Sequence, residues 1–308
     1  MATFAARGFL RFDACVPAAI NQSFLEQVRL STNTANKEGK EQTDLINNPQ
    51  QHYAQLMQEQ AIPFVDPGTL WSKAYDASSP IGKLLRLPLV KGVMQSLVGE
   101  TCVVDHHFLH LTFPPSYTAG YIKKAQHTHQ DSTIDPRRAF DLQIMYFPHE
   151  VTLEMGGTRF VPGTHLRIVS EAAISRYHNI LGQQHVVCPA GTLLFLHHGL
   201  WHGGGSNRSQ QERYMLKIRL APQQSQCRLW DTSDLPADHH KQHPIFWTDP
   251  NRAADPVQKI LMQPESWFEL DTGRLELLNR VRFWRYLLGD DSFDADYWLT
   301  RVENQPST

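Results

Sequence analysis

Nothing in this chain supports a disulfide scaffold. Its four cysteines, Cys15, Cys102, Cys188 and Cys227, stand far apart and form no Cys-x-x-Cys pair. They read as reduced, mostly buried thiols, which points to a cytoplasmic protein. A long apolar run is also missing, and a bilayer span needs ~20 such residues. Met1-Ala2-Thr3-Phe4 has neither the basic start nor the apolar stretch of a signal peptide. Excess charge of one sign is absent as well: a net charge of -2 offers no basic stripe for nucleic acid or an anionic membrane. The expected partner is therefore a small molecule, met by a monomer or homodimer. No repeat or low-complexity linker divides the 308 residues, so a single domain is expected.

Histidine is what the chain has in excess. There are 16, and twelve of them fall between His106 and His202. Most cannot be ligands. His165, in the Pro162-Gly163-Thr164-His165 turn, and His185, before an apolar stretch, read as structural. His129-Gln130-Asp131 is different. In a strand, side chains two apart share a face, so this triplet puts an imidazole and a carboxylate side by side. With the distant His202 they form a two-histidine, one-carboxylate set, which suits Fe(II) and leaves three coordination positions open. His127-Thr128-His129 is a second such pair, but only His129 has Asp131 as its partner. Arg213, eleven residues past His202, fits the far carboxylate of 2-oxoglutarate, because a guanidinium grips a carboxylate through two parallel hydrogen bonds.

At these residues the chain resembles the phytanoyl-CoA dioxygenase family of Fe(II)/2-oxoglutarate oxygenases. The resemblance runs through His129-Gln130-Asp131, Gly156-Gly157-Thr158, Pro162-Gly163-Thr164-His165, Pro189-Ala190-Gly191-Thr192, His202, Asn207, Ser209 and Arg213. It begins weakly at Gly8-Phe9-Leu10. It implies that His129, Asp131 and His202 hold iron and that Arg213 anchors 2-oxoglutarate, with O2 as the second co-substrate. Several members carry a hydroxyl two positions after the distal histidine. Here that position is Gly204, with Ser206 or Ser209 as stand-ins. Relatives that halogenate replace the carboxylate with Gly or Ala; Asp131 favours hydroxylation or a related oxidation.

Periodicity points to a mainly β protein with flanking helices. A strand is expected at Phe9 to Phe12 and a helix from Ala18 to Leu30 with Ile20, Phe24, Leu25 and Val28 on one face. Another helix, from Pro80 to Val98, should break near Pro88 and close at Gly99. Strands are expected at 101–112, 140–147, 158–161, 185–188, 192–197 and 213–220. The resemblance makes their topology a double-stranded β-helix (jelly roll, cupin-like). The division is then a mostly helical part over 1–100, a jelly-roll core with the iron site over 101–222, and a helical extension over 223–308. The polar stretch 31–60 reads as a solvated insertion or a lid. Helical spacing at 267–285 and the aromatic, acidic segment 293–299 read as cover for the barrel, or less favourably as a dimer contact.

Alternation, adjacency to the triad and the family resemblance together suggest further site residues. Gln143, Met145 and Phe147 share one strand face, and so do His106, Phe108, His110 and Thr112. Gln143, His110, Thr112 and Ser209 are candidates for contact with 2-oxoglutarate. Thr128, Gln130 and Asn207 are candidates for orienting the ligands. Trp201, Arg159, Lys123 and Lys124 are candidates for the substrate pocket. The leading expectation is an oxygenase that hydroxylates a small metabolite, of natural-product or acyl type, releasing succinate and CO2. Desaturation and ring formation stay open, as do a non-catalytic metal- or ligand-binding barrel and a cupin-type metalloenzyme without 2-oxoglutarate.

Overall fold

Alternation along the strands sorts the side chains into two cores. The computed structural model describes residues 1–35, 62–118, 120, 122, 124–131, 141–165, 167, 174, 180–223 and 287–290. The elements are α1 (Ala2–Arg7), β1 (Phe9–Phe12), α2 (Ala18–Ala35), β2 (Thr69–Leu70), α3 (Trp71–Ala74), α4 (Pro80–Leu85), α5 (Pro88–Leu97) and β3 (Val103–Thr112). A 3-10 turn (Pro115–Thr118) precedes β4 (Leu142–Phe147), β5 (Thr158–Phe160), β6 (Gln184–His185), β7 (Thr192–His197), β8 (His202–Gly204) and β9 (Arg213–Ala221).

A six-stranded sheet has the order β1-β7-β4-β9-β3-β2, and a second sheet has the order β6-β5-β8. Residues 126–131 run antiparallel beside β8, with Gln126 N donating to Gly204 O at 2.9 Å and Asp131 N to His198 O at 3.2 Å. From β3 onward the chain therefore steps from large sheet to small sheet and back. That alternation defines the jelly roll, and every strand pairing is antiparallel.

The even-numbered side chains of β4 and β9 face the helices. Leu142, Ile144, Tyr146, Tyr214, Leu216 and Leu220 pack there with Phe24, Val28, Ile81, Leu84, Val90 and Met94. The odd-numbered ones face the small sheet: Met145, Phe147 and Met215 join Phe9, Phe160, Val186, Leu194 and Leu196. Burying a side chain of this kind contributes about 1.5–3 kcal/mol, so a one-residue slip in register would exchange the two cores and lose both.

The helices at α2, α4 and α5 and most strands stand where the periodicity puts them. Pro88 opens α5 as its first residue, and Gly99, at φ +90, follows its end. α1, β2, α3 and β8 carried no expectation, and β6 is shorter than expected. β6 ends at His185 because Val187 N donates back to His185 O at 3.0 Å, a tight turn that breaks the ladder before Cys188 pairs with Val151. β8 has no hydrophobic period to reveal it; Gly203 is there because a Cβ would lie 2.7 Å from His127 O. The readings for 36–60, 267–285, 293–299, Lys123 and Cys227 fall outside the described residues. Among the described residues, no helix is long and apolar enough to cross a membrane.

Candidate metal centre

His129 and His202 meet because their backbones pair directly. Each N–H donates to the other's carbonyl at 2.8 Å, so both side chains leave the same face of the small sheet, toward the barrel interior. Their rings lie 4.6 Å apart. Asp131 is not in a regular strand, yet the pairing of 126–131 with β8 carries it to the same place. Its Oδ1 lies 3.4 Å from His129 Nε2 and 3.6 Å from His202 Nε2. One donor atom from each of the three residues falls within 4.8 Å of the others.

The imidazoles are fixed in one tautomer. His129 Nδ1 donates to His127 O and His202 Nδ1 to Leu200 O, each at 2.8 Å, which leaves both Nε2 lone pairs directed at the cluster. Burial pushes His202 down to about 4, so it is neutral at physiological pH. Burial alone would raise the Asp131 carboxyl, but the ammonium of Lys217, with the two histidines, outweighs this and holds it well below the usual range. With His202 neutral, Lys217 is the cation responsible. Two neutral nitrogens and one carboxylate oxygen fit a divalent transition metal such as Fe(II).

Arg213 stands on the same interior face. The pairing of Thr112 with Arg213 across β3 and β9 brings Thr112 Oγ1 to 2.9 Å from Nη2, while Nη1 donates to Met155 O at 2.9 Å. These partners are neutral. Arg213 is only 7% exposed, its guanidinium has no carboxylate partner among the described residues, and burial pushes it down to about 10. A buried cation of this kind calls for an anion. Between Arg213 and the triad lies His110. Its Nε2 is buried without a hydrogen-bond partner among the described residues, and burial followed by Lys217 pushes the ring down to about 3.

The other expected residues are distributed differently. Gln143 reaches the site, but its Nε2 donates to Asp131 Oδ2 and so holds the carboxylate. Ser209, expected at the co-substrate, has its hydroxyl in a turn, donating to Asn207 Oδ1 at 2.7 Å. Asn207 ties that turn to β3 through Thr112 O at 3.2 Å and thereby braces the start of β9. Arg159 and Trp201 are excluded from the pocket by parity. Phe160 pairs with His202, so Arg159 points outward and its guanidinium donates to Gln126 O. Trp201 lies outside too, with Arg167 5.9 Å from its ring. Lys124 is exposed.

Four residues of the site, Lys217, Arg219, Asp105 and Asp141, carried no expectation. Lys217 Nζ donates to Asp131 Oδ2 at 2.9 Å. Counting in twos from Arg213 along β9 would have placed it on this face. Arg219, fully buried, donates from Nε to Asp141 Oδ2 at 2.7 Å. A bulge between Val104 and His106 turns Asp105 toward Arg219 as well, with Arg219 Nε 3.4 Å from Asp105 Oδ2. Arg219 Nη1 also lies 3.4 Å from Asp131 O.

Fold and site together define a jelly-roll protein with a two-histidine, one-carboxylate centre. The chain belongs to the phytanoyl-CoA dioxygenase (PhyH) family of the iron/2-oxoglutarate dioxygenase superfamily, whose profile matches residues 4–215. Two mycobacterial proteins, Rv1501 of Mycobacterium tuberculosis and Mb1539 of Mycobacterium bovis, both described as uncharacterised, are each 28% identical over 131 residues. That match covers 42% of this chain and 46% of each relative, so the chain spans about half the length of the curated relatives it matches. Among solved structures, the non-haem α-ketoglutarate-dependent epimerase SnoN from nogalamycin biosynthesis is 15% identical, covering 72% of this chain and 82% of its own, at a TM-score of 0.49. HygX from Streptomyces hygroscopicus, with nickel and 2-oxoglutarate bound, is 12% identical over 71% of this chain and 84% of its own, at a TM-score of 0.47.

Proposed function

We propose that the protein is an Fe(II)- and 2-oxoglutarate-dependent oxygenase that hydroxylates a small molecule, releasing succinate and CO2. The observation that carries this reading is the pairing of a three-donor cluster with a buried guanidinium that has no carboxylate partner among the described residues, both on one barrel interior. His129, Asp131 and His202 would hold the metal. Arg213, with Thr112 Oγ1 beside it, would receive the far carboxylate of 2-oxoglutarate, and His110 Nε2 would meet its body. The bound iron supplies the activation of O2.

The chain's own contribution is position and dryness. Carbonyls lock the histidines, Gln143 and Lys217 lock Asp131, and Met145, Met215 and Phe160 keep the inner wall apolar. Phe108 lies on the Lys217 face of the barrel and is 37% exposed, so it supports a substrate approach from that side.

The test is anaerobic addition of Fe(II) and then 2-oxoglutarate, following the visible metal-to-ligand charge-transfer band. The band should appear in the wild type and be lost in His202→Ala. A folded protein that binds metal but gives no band with 2-oxoglutarate would favour a metalloenzyme or sensor barrel instead.

A further inference from the structure

Asp131 has two oxygens, and the fold treats them differently. Oδ1 faces the two Nε2 atoms at 3.4 and 3.6 Å. Oδ2 is turned away from them and accepts from Lys217 Nζ at 2.9 Å and from Gln143 Nε2. Lys217 is only 7% exposed and is held from behind by the Phe108 ring, whose centroid lies 5.5 Å from Nζ. Its one carboxylate partner among the described residues is Asp131. Buried lysines are rare without a specific counter-charge, and here the counter-charge is the same group that would ligate the metal.

We propose that Lys217 is the internal counter-ion of Asp131, a positioning residue that commits the carboxylate to the metal through Oδ1 alone and competes with the divalent cation for its charge. The inference rests on the metal-binding reading given above. Its physics has two sides. Without a cation, the ammonium neutralises a carboxylate that would otherwise be buried and unpaired, a strongly destabilising state. With a cation bound, the same ammonium sits one carboxylate away from two positive charges and opposes them in a medium of reduced dielectric. Lys217 therefore keeps the metal-free fold stable at the expense of cation affinity. By holding Oδ2 it also prevents Asp131 from occupying a second coordination position, which the co-substrate and O2 require.

A residue that only steadied Asp131 would give the opposite sign. Its removal would loosen a ligand and weaken metal binding. Loss of the counter-ion strengthens it, because Gln143 still holds Oδ2 while the repulsion is gone.

The experiment is Mn(II) titration of the full chain without substrate, comparing wild type, Lys217→Met and Lys217→Arg, with thermal melts of the metal-free and Mn(II)-loaded forms. Lys217→Met should bind Mn(II) roughly tenfold tighter or more, equivalent to about 1.4 kcal/mol. Its metal-free melting midpoint should fall below wild type and its Mn(II)-induced rise should be larger. Lys217→Arg, which keeps the charge, should return the affinity to within about threefold of wild type. Mn(II) affinity that is unchanged or weaker in Lys217→Met overturns the proposal. If that variant does not fold, Lys217→Gln, which keeps a donor and removes the charge, decides the same comparison. Binding that depends on His202 but ignores Lys217 removes only the counter-ion role; a wild type whose Mn(II) binding ignores His202 removes the metal centre itself.

Discussion

His129 and His202 exchange both backbone hydrogen bonds, each 2.8 Å long, so the two imidazoles are held together by main chain rather than by each other. Truncating either side chain leaves that pairing intact. His202→Ala should therefore keep the far-UV circular dichroism of the wild type while its Mn(II) affinity falls by roughly 100-fold or more, one of three ligands being gone. Tight binding by the folded variant would show that the ligands are other residues.

Among the described residues Arg213 donates to neutral oxygens, Met155 O and Thr112 Oγ1 at 2.9 Å and Gly205 O at 3.5 Å. Arg213→Met should weaken 2-oxoglutarate binding to the metal-loaded protein by roughly 100-fold, as loss of a buried charge partner does, with metal affinity nearly unchanged. Thr112→Val should have a smaller effect, about fivefold, in keeping with one neutral hydrogen bond. Isothermal titration of both variants tests this. Equal loss of metal and 2-oxoglutarate affinity would mean that Arg213 supports the fold rather than the ligand.

Gly204 borders the Arg213 guanidinium and Gly156 follows Met155, whose carbonyl accepts from it, but the two glycines differ in the space around them. A Cβ at Gly204 would meet nothing nearer than Gln126 Oε1 at 3.5 Å and Arg213 Nη2 at 3.7 Å, which is ordinary contact. Gly204→Ser should fold normally and place its hydroxyl beside Arg213, tightening 2-oxoglutarate binding a few-fold. At Gly156 a Cβ would lie 1.9 Å from Ser206 O, at φ +65. Gly156→Ala must displace backbone and should destabilise by roughly 3 kcal/mol or more. Urea melts of the pair read both outcomes, and equal stability would contradict the packing described for this loop.

Acid should unfold the protein through its buried histidines. Burial lowers His107 to about 4 and His110 to about 3, and lowers His165 and His197 as well. In the unfolded chain each returns to about 6.5. Between those values the unfolded state binds more protons, so stability is full above pH ~6.5 and falls as pH drops toward 4. At pH 5, His107 and His110 each cost the fold roughly 2 kcal/mol relative to neutral pH. The melting midpoint should drop by several degrees from pH 7 to pH 5. A flat profile over that range would mean that these rings are solvated.

The cluster of His129, Asp131 and His202 was legible in the sequence: His129 and Asp131 stand two apart, and the resemblance to the family pointed to His202 and to Arg213 eleven residues past it. Thr112 and His110 followed from alternation along one strand, as did the inner set Gln143, Met145 and Phe147. Gln143 nonetheless turned out to hold Asp131, and Ser209 to close its own turn. Arg159 and Trp201 were misplaced for one shared reason. Which of two alternating faces is inward depends on register against β8, and a sequence shows alternation without showing its sign.

Sequence by itself determined the chemistry on offer: two imidazoles, a carboxylate, a guanidinium, and strand-like runs between them. Periodicity and side-chain type are local properties, written residue by residue. Only the tertiary structure decided that Lys217 pairs with Asp131, that Arg219 draws Asp105 and Asp141 together through a bulge, and that His110 Nε2 has no hydrogen-bond partner among the described residues. Each of these depends on strands far apart in the chain meeting in one register, and on burial lowering the dielectric around charges that would scarcely interact in water.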